Sequence, residues 1–222
     1  MRSDLFDQTN LAKQSQERYI LQNPQMLRVA LGPEVLAAKG SMVAYNGNIQ
    51  FHHEKAGSVG KLAKKILTSE NVSLMRCSGQ GEVYFADSAG YINLMHLENE
   101  GISLNSRNLL AFDANLTWDI ERTKGAGMVM GAGLFNTTVG GTGTVAINVV
   151  GMPVVLDCSR GPVFVDPNAA VCWSANLSPT VHSSMNMSSM LRGGTGEALQ
   201  YVFQGPGFVV VQAFEWSPVA AG

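Results

Sequence analysis

Two short motifs occur in the same order three times along this chain, and a sequence that repeats itself at a fixed period folds as stacked copies of one unit. The first motif is Gly-x-Gly running into apolar residues: Ser78-Gly-Gln-Gly-Glu-Val-Tyr-Phe85, Gly140-Gly-Thr-Gly-Thr-Val-Ala-Ile147 and Gln204-Gly-Pro-Gly-Phe-Val-Val-Val211. Its second glycines, Gly81, Gly143 and Gly207, lie 62 and 64 residues apart. The second motif reads Ala44-Tyr-Asn-Gly-Asn-Ile49, Ala111-Phe-Asp-Ala-Asn-Leu116 and Cys172-Trp-Ser-Ala-Asn-Leu177, with its asparagines Asn48, Asn115 and Asn176 spaced by 67 and 61 residues. The aromatic recurring at Tyr45, Phe112 and Trp173 predicts a repeated core position. The asparagine three residues later predicts a repeated bend, because Asn tolerates left-handed backbone and bonds its own main chain.

Just upstream of each second motif lie Glu34-Val-Leu-Ala-Ala-Lys39, Gly101-Ile-Ser-Leu-Asn-Ser106 and Gly161-Pro-Val-Phe-Val-Asp166, which alternate well enough for half-buried strands. Gly accounts for 24 of 222 residues at turn-like spacings, which suits many short strands. The expected fold is all-β: an N-terminal arm over 1–25, then a single three-repeat domain over 26–222. Its units are expected at 26–70, closed by the C-terminal stretch 200–217, then 71–135 and 136–199. Such closure leaves few free sheet edges, which β proteins must manage. A dinucleotide fingerprint opens a helix, whereas these glycine pairs open strands, so they read as tight turns or bulges with positive φ.

Charge narrows the partners. Hydrophobic residues are 45% and charged residues 14% of the chain, against about 25% charged in ordinary soluble domains. A surface this poor in charge is expected either to be hidden in a partner or to expose a rather apolar face, so a homo-oligomer is expected. The net charge is −2 and the strands carry no regular Lys/Arg series, so nucleic acid is not the expected partner. The N-terminal residues are polar with Asp4 and Asp7, and no apolar run approaches the roughly 18 residues of a membrane span, so a cytoplasmic protein is expected. Cys77, Cys158 and Cys172 have no ligand spacing and are expected as buried, reduced thiols.

Nothing in the spacing calls for an enzyme, a metal or a cofactor. His52 and His53 are adjacent, and neighbours on a strand point to opposite faces, so they do not grip one ion. His96 and His182 are far away in sequence, and no Gly-x-Ser-x-Gly is present. Asp87, Asp113, Asp119, Asp157 and Asp166 are scattered among turn signals and read as solvated turn residues.

The connectors between the second motif and the next glycine pair carry the functional expectation. They are Gly57–Leu67, Gly125–Phe135 and Ser184–Gly194, all rich in Met, Leu or Gly, and their equivalent positions predict one common face. Lys61-Leu-Ala-Lys-Lys-Ile-Leu67 reads as a short basic amphipathic helix, with Lys61, Lys64 and Lys65 beside Leu62 and Ile66. The second connector is uncharged and offers Met128, Met130, Leu134 and Phe135 for apolar contact with a subunit or a lipid.

Met26–Phe51, Gly57–Gly90, Asn108–Trp118, Gly125–Gly143 and Gly205–Gln212 resemble the altered-inheritance-of-mitochondria protein 24 family. The resemblance implies a fold like that of the tryptophan RNA-binding attenuation protein (TRAP), with TRAP-like β repeats, double-stranded β-helix or sandwich units, in a pseudo-threefold arrangement with short connector helices. It also implies a homo-oligomer, with a trimer or similar ring favoured, and a link to membrane organisation, and it supplies no catalytic residues. The expected function is a non-enzymatic scaffold or interaction protein, peripheral to a membrane. The alternatives are a small-ligand or nucleic-acid binding module and an uncharacterised enzyme.

Overall fold

Strands form where apolar residues alternate with small or polar ones. In β2 (Met26–Leu31), Leu27, Val29 and Leu31 project to one side and are buried. The computed structural model describes residues 2–54, 73–122, 135–183 and 199–214. These residues form fifteen strands and three short 3-10 turns. The first third of the chain supplies β1 (Tyr19–Asn23), β2, β3 (Val35–Ala38), β4 (Met42–His53) and β5 (Leu74–Phe85). The second supplies β6 (Tyr91–Asn105), β7 (Leu109–Asp113), β8 (Thr117–Arg122) and β9 (Phe135–Val149). The last supplies β10 (Val154–Asp157), β11 (Val163–Val165), β12 (Ala170–Ser174), β13 (Thr180–Ser183), β14 (Leu199–Phe203) and β15 (Phe208–Val211).

All pairing is antiparallel. A 12-stranded sheet runs β1-β2-β5-β3-β7-β9-β6-β12-β15-β10, with β4 added to β5 and β8 to β9, and a 3-stranded sheet runs β11-β14-β13. The long central strands explain this order. One edge of β5 carries β2 over Gly81–Phe85 and β3 over Leu74–Cys77, while β4 lines its other edge. One edge of β9 carries β6, and its other edge carries β7 near Val145 and β8 over Phe135–Gly140. In the last third, β15 takes β10 and β12, and β14 takes β11 and β13. The interruption between β14 and β15 falls at Gln204-Gly-Pro-Gly207, where Pro206 has no N–H to give a ladder.

A register shift recurs at one place in each third: between Met42 and Ala44, between Leu109 and Ala111, and between Ala170 and Cys172. Each is a bulge that twists its strand. The first glycines of the pairs, Gly79, Gly141 and Gly205, have φ of +114°, +121° and +130°, so the expected positive φ is present. The third pair opens β15 as expected, but the first two do not open strands: they lie inside β5 and β9, where they let a long strand bend against the second motif. At Gly207, an added Cβ would sit 2.8 Å from the Ser174 Oγ.

Apolar side chains gather in three clusters. One is built on Leu104, Phe112, Val145 and Ile147, a second on Leu27, Val29, Val83 and Phe85, and a third on Trp173, Tyr201, Phe203 and Val209. Phe112 and Trp173 are buried, each worth about 1.5–3 kcal/mol by removal of apolar surface from water. Cys77, Cys158 and Cys172 are buried and free, as expected.

Four expectations need correction. The arm is shorter than 1–25, because Tyr19–Asn23 alternates well enough to join the sheet as β1. The C-terminal strands β14 and β15 pair with β10 to β13 and not with 26–70, since the register of Val209 and Val210 already matches Trp173 and Cys172. Tyr45 is exposed, unlike Phe112 and Trp173. Asn48 closes no turn: β4 stays paired with β5 through it, and the left-handed backbone falls instead on Gly47, at φ +91° opposite Gly81.

Candidate functional site

Of the residues singled out for partner contact, Lys61, Lys64, Lys65, Met128, Met130 and Leu134 lie outside the described residues. Phe135 begins β9, and its side chain also lies outside them. The strands flanking the three connectors are described, and each connector joins two paired strands. Pairing stops at His53 and Met75, at Arg122 and Phe135, and at Ser183 and Leu199. His52 and His53 are exposed on β4, while His96 and His182 sit on β6 and β13. Among the described residues no three His, Cys, Asp or Glu side chains gather as a metal site.

Asp157 and Asp166 behave as turn residues, each accepting the backbone N–H two residues on, from Ser159 and Asn168 at 2.9 and 2.7 Å. Asp113 does not. It is buried, where a carboxylate needs partners. The Arg18 guanidinium lies 2.6 Å from its Oδ1, the Tyr19 hydroxyl donates to that oxygen at 2.7 Å, and the Thr144 N–H donates to Oδ2 at 2.8 Å. Burial and then the Asp113 charge push the Tyr19 phenol far above its ordinary pKa. These bonds pin the N-terminal strand onto β7. Sequence reasoning missed them because Tyr19 and Asp113 are 94 residues apart.

The thirds of the chain meet along two seams of identical register. At the first, β3 lies against β7 with Val35 opposite Asp113, Leu36 opposite Phe112 and Ala37 opposite Ala111. The Ala114 N–H then donates to the Glu34 carbonyl at 3.2 Å. At the second, β6 lies against β12 with Ile102 opposite Ser174, Ser103 opposite Trp173 and Leu104 opposite Cys172. The Ala175 N–H donates to the Gly101 carbonyl at 3.0 Å. The aromatic of the second motif is thus the centre of both seams. Its asparagine closes the turn that follows, Asn115 donating to the Thr142 carbonyl at 3.0 Å and Asn176 to the Pro206 carbonyl at 2.7 Å. Each of those carbonyls lies between the two glycines of a pair.

A cleft of about 430 Å³ opens where the three thirds come together, lined by Lys39, Ser73, Asn108, Asn148, Val150 and Gln212 among others. Asn108 Nδ2 donates to the Asn148 carbonyl at 2.7 Å and to Gln212 Oε1 at 3.1 Å. Gln212 Nε2 donates to the Asn168 carbonyl at 3.0 Å. Two buried amides, Asn108 and Gln212, stitch the second and last thirds together at one end.

The architecture and these seams define an all-β protein whose described chemistry is strand pairing and amide hydrogen bonding. The profile of the family described as mitochondrial biogenesis AIM24 matches residues 19–214, and the chain belongs to that family. An uncharacterised protein of Streptococcus pyogenes serotype M6 is 25% identical over 194 residues, covering 82% of this chain and 77% of that protein. The X-ray crystal structure of a Streptococcus pyogenes protein is similar with a TM-score of 0.71 and 25% identity, over 89% of this chain and 92% of that one. No helix among the described residues is long and apolar enough to cross a membrane.

Proposed function

We propose that this protein is a non-enzymatic scaffold: three TRAP-like copies of one β unit, associating as a homo-oligomer with a trimer favoured, and presenting its connectors to a membrane surface or a protein partner. The observation that carries the reading is the recurrence of one pairing scheme, with the bulge after Met42, Leu109 and Ala170 at the same register in each third. Copies of one unit present equivalent loops at equivalent places, and the three connectors leave equivalent pairs of strands. Family membership agrees with this reading without naming a substrate.

On this reading Lys61, Lys64 and Lys65 attract an anionic surface, worth about 1 kcal/mol each near the headgroups. Met128, Met130, Leu134 and Phe135 supply apolar contact. Flotation with anionic liposomes tests it. Wild type is expected to float at low salt and less at physiological salt, and the Lys61/Lys64/Lys65→Glu variant to stay at the bottom. Wild type remaining unbound at low salt removes the membrane from the proposal and leaves a protein partner.

A further inference from the structure

Two seams of identical register imply a third, and its two halves are both present and open. By distance from the glycine pairs, Val163, Phe164 and Val165 of β11 stand where Val35, Leu36 and Ala37 stand, and where Ile102, Ser103 and Leu104 stand. By the recurring bulge, Ala44, Tyr45 and Asn46 of β4 stand where Ala111, Phe112 and Asp113 stand, and where Cys172, Trp173 and Ser174 stand. Among the described residues β11 pairs only with β14, and β4 only with β5. No described strand pairs with the seam-forming edge of either.

Burial tells the same story. At the closed seams the central residues are hidden: Leu36 at 1% and Phe112 at 0%, Ser103 at 6% and Trp173 at 2%. Their counterparts Phe164 and Tyr45 are each 51% exposed, and Val43, beside the bulge, is also 51% exposed. Both aromatics are braced edge-on within their own sheets, Tyr45 on Phe51 at 5.2 Å and Phe164 on His182 at 5.8 Å. Pro162 replaces Glu34 and Gly101, but both closed seams use only the carbonyl at that place, which proline keeps.

We propose that the third seam forms between two copies of this chain: β11 of one protomer adds to β4 of the next, with Phe164 opposite Tyr45 and Val165 opposite Ala44. The interface is heterologous, head to tail. It therefore builds a ring where the rotation closes and a filament where it does not. The occupant is a second copy because the register that the edge demands is one this chain already makes twice. The inference rests on the self-association in the proposed scaffold reading and names its surface.

Sedimentation of the full chain tests it, with Tyr45→Glu and Phe164→Glu as two separate variants at exposed positions. Wild type should sediment as a multiple of 23.7 kDa at micromolar concentration, and each variant as a single chain, its self-affinity at least about 100-fold weaker because a charge replaces a central aromatic anchor. Mixing the two variants should restore a dimer and nothing larger, since the mixture holds one intact head and one intact tail. A Val165→Cys chain mixed with an Ala44→Cys chain should form one mixed disulfide under mild oxidation, which reports the register directly. Single-chain wild type overturns both the inference and the self-association beneath it. A wild-type oligomer that survives both glutamates overturns the inference alone, and so does a variant that dimerises by itself.

Discussion

At the scale of single residues, burial dominates. The Cys77 and Cys172 thiols are pushed up to about 12 by desolvation, because a thiolate in these apolar clusters has no water and no cation beside it. A group whose pKa is higher folded than unfolded lends stability that is whole below the unfolded value and lost as pH rises through the folded one. Urea midpoints should therefore hold level up to about pH 8.5 and fall steadily towards pH 12. The Tyr19 phenol, raised in the same direction, adds to the loss above about pH 10, and Tyr19→Phe should flatten that upper part. A midpoint that does not move over this range refutes the assignment. Much at this scale was legible beforehand. The unpaired spacing of the cysteines gave their burial, and the recurring aromatic gave Phe112 and Trp173 as core. Asp113 was not legible as a buried acid, because Arg18 and Tyr19 reach it only once β1 has joined the sheet.

Between residue and molecule stand the kinked central strands. The glycine pairs were visible as sites of positive φ, but the mid-strand place of the first two was not, because periodicity cannot see which neighbour crosses over them. The crossing neighbour is the second motif. Ser174 Oγ accepts the Phe208 N–H at 3.1 Å, just where Asp113 accepts from Thr144. Gly207, at φ +149°, sits under that contact. Gly207→Ala forces a Cβ against Ser174 and a strained backbone besides, and should lower the unfolding free energy by about 2–4 kcal/mol in urea titration. Gly161, at φ +158° with open space around it, is the internal control and should lose less. The bend expected at Asn48 failed for a reason on the same scale: Gly47 stays paired opposite Gly81, so β4 continues where β7 and β12 end in turns at Ala114 and Ala175.

For the whole molecule, the low charge of the chain meets an uneven surface. Exposed apolar side chains collect at β10 and β11 and at the start of β4, including Val43, Tyr45, Val154, Val155 and Phe164. The sequence carried the class of fold and the spacing of its parts. It did not carry the sheet order, because the order is decided by which edges remain free after each hairpin closes. Residues 200–217 were expected to seal the first third, yet Val209 and Val210 pair in the last. If association covers the open edges, folding and assembly are linked. The melting temperature should then climb by several degrees over a hundredfold rise in protein concentration, and the Tyr45→Glu variant should melt at one temperature throughout. A wild-type melting point independent of concentration contradicts that linkage.

The seams have a consequence for how such chains can change over time. Their register is written in main-chain pairing, and the facing side chains differ freely: leucine meets phenylalanine at one seam, serine meets tryptophan at the other. A joint made of backbone tolerates drift in what decorates it, provided the bulge and the glycine kink stay put. Relatives can therefore diverge to a quarter identity and still superimpose, as the streptococcal crystal structure does.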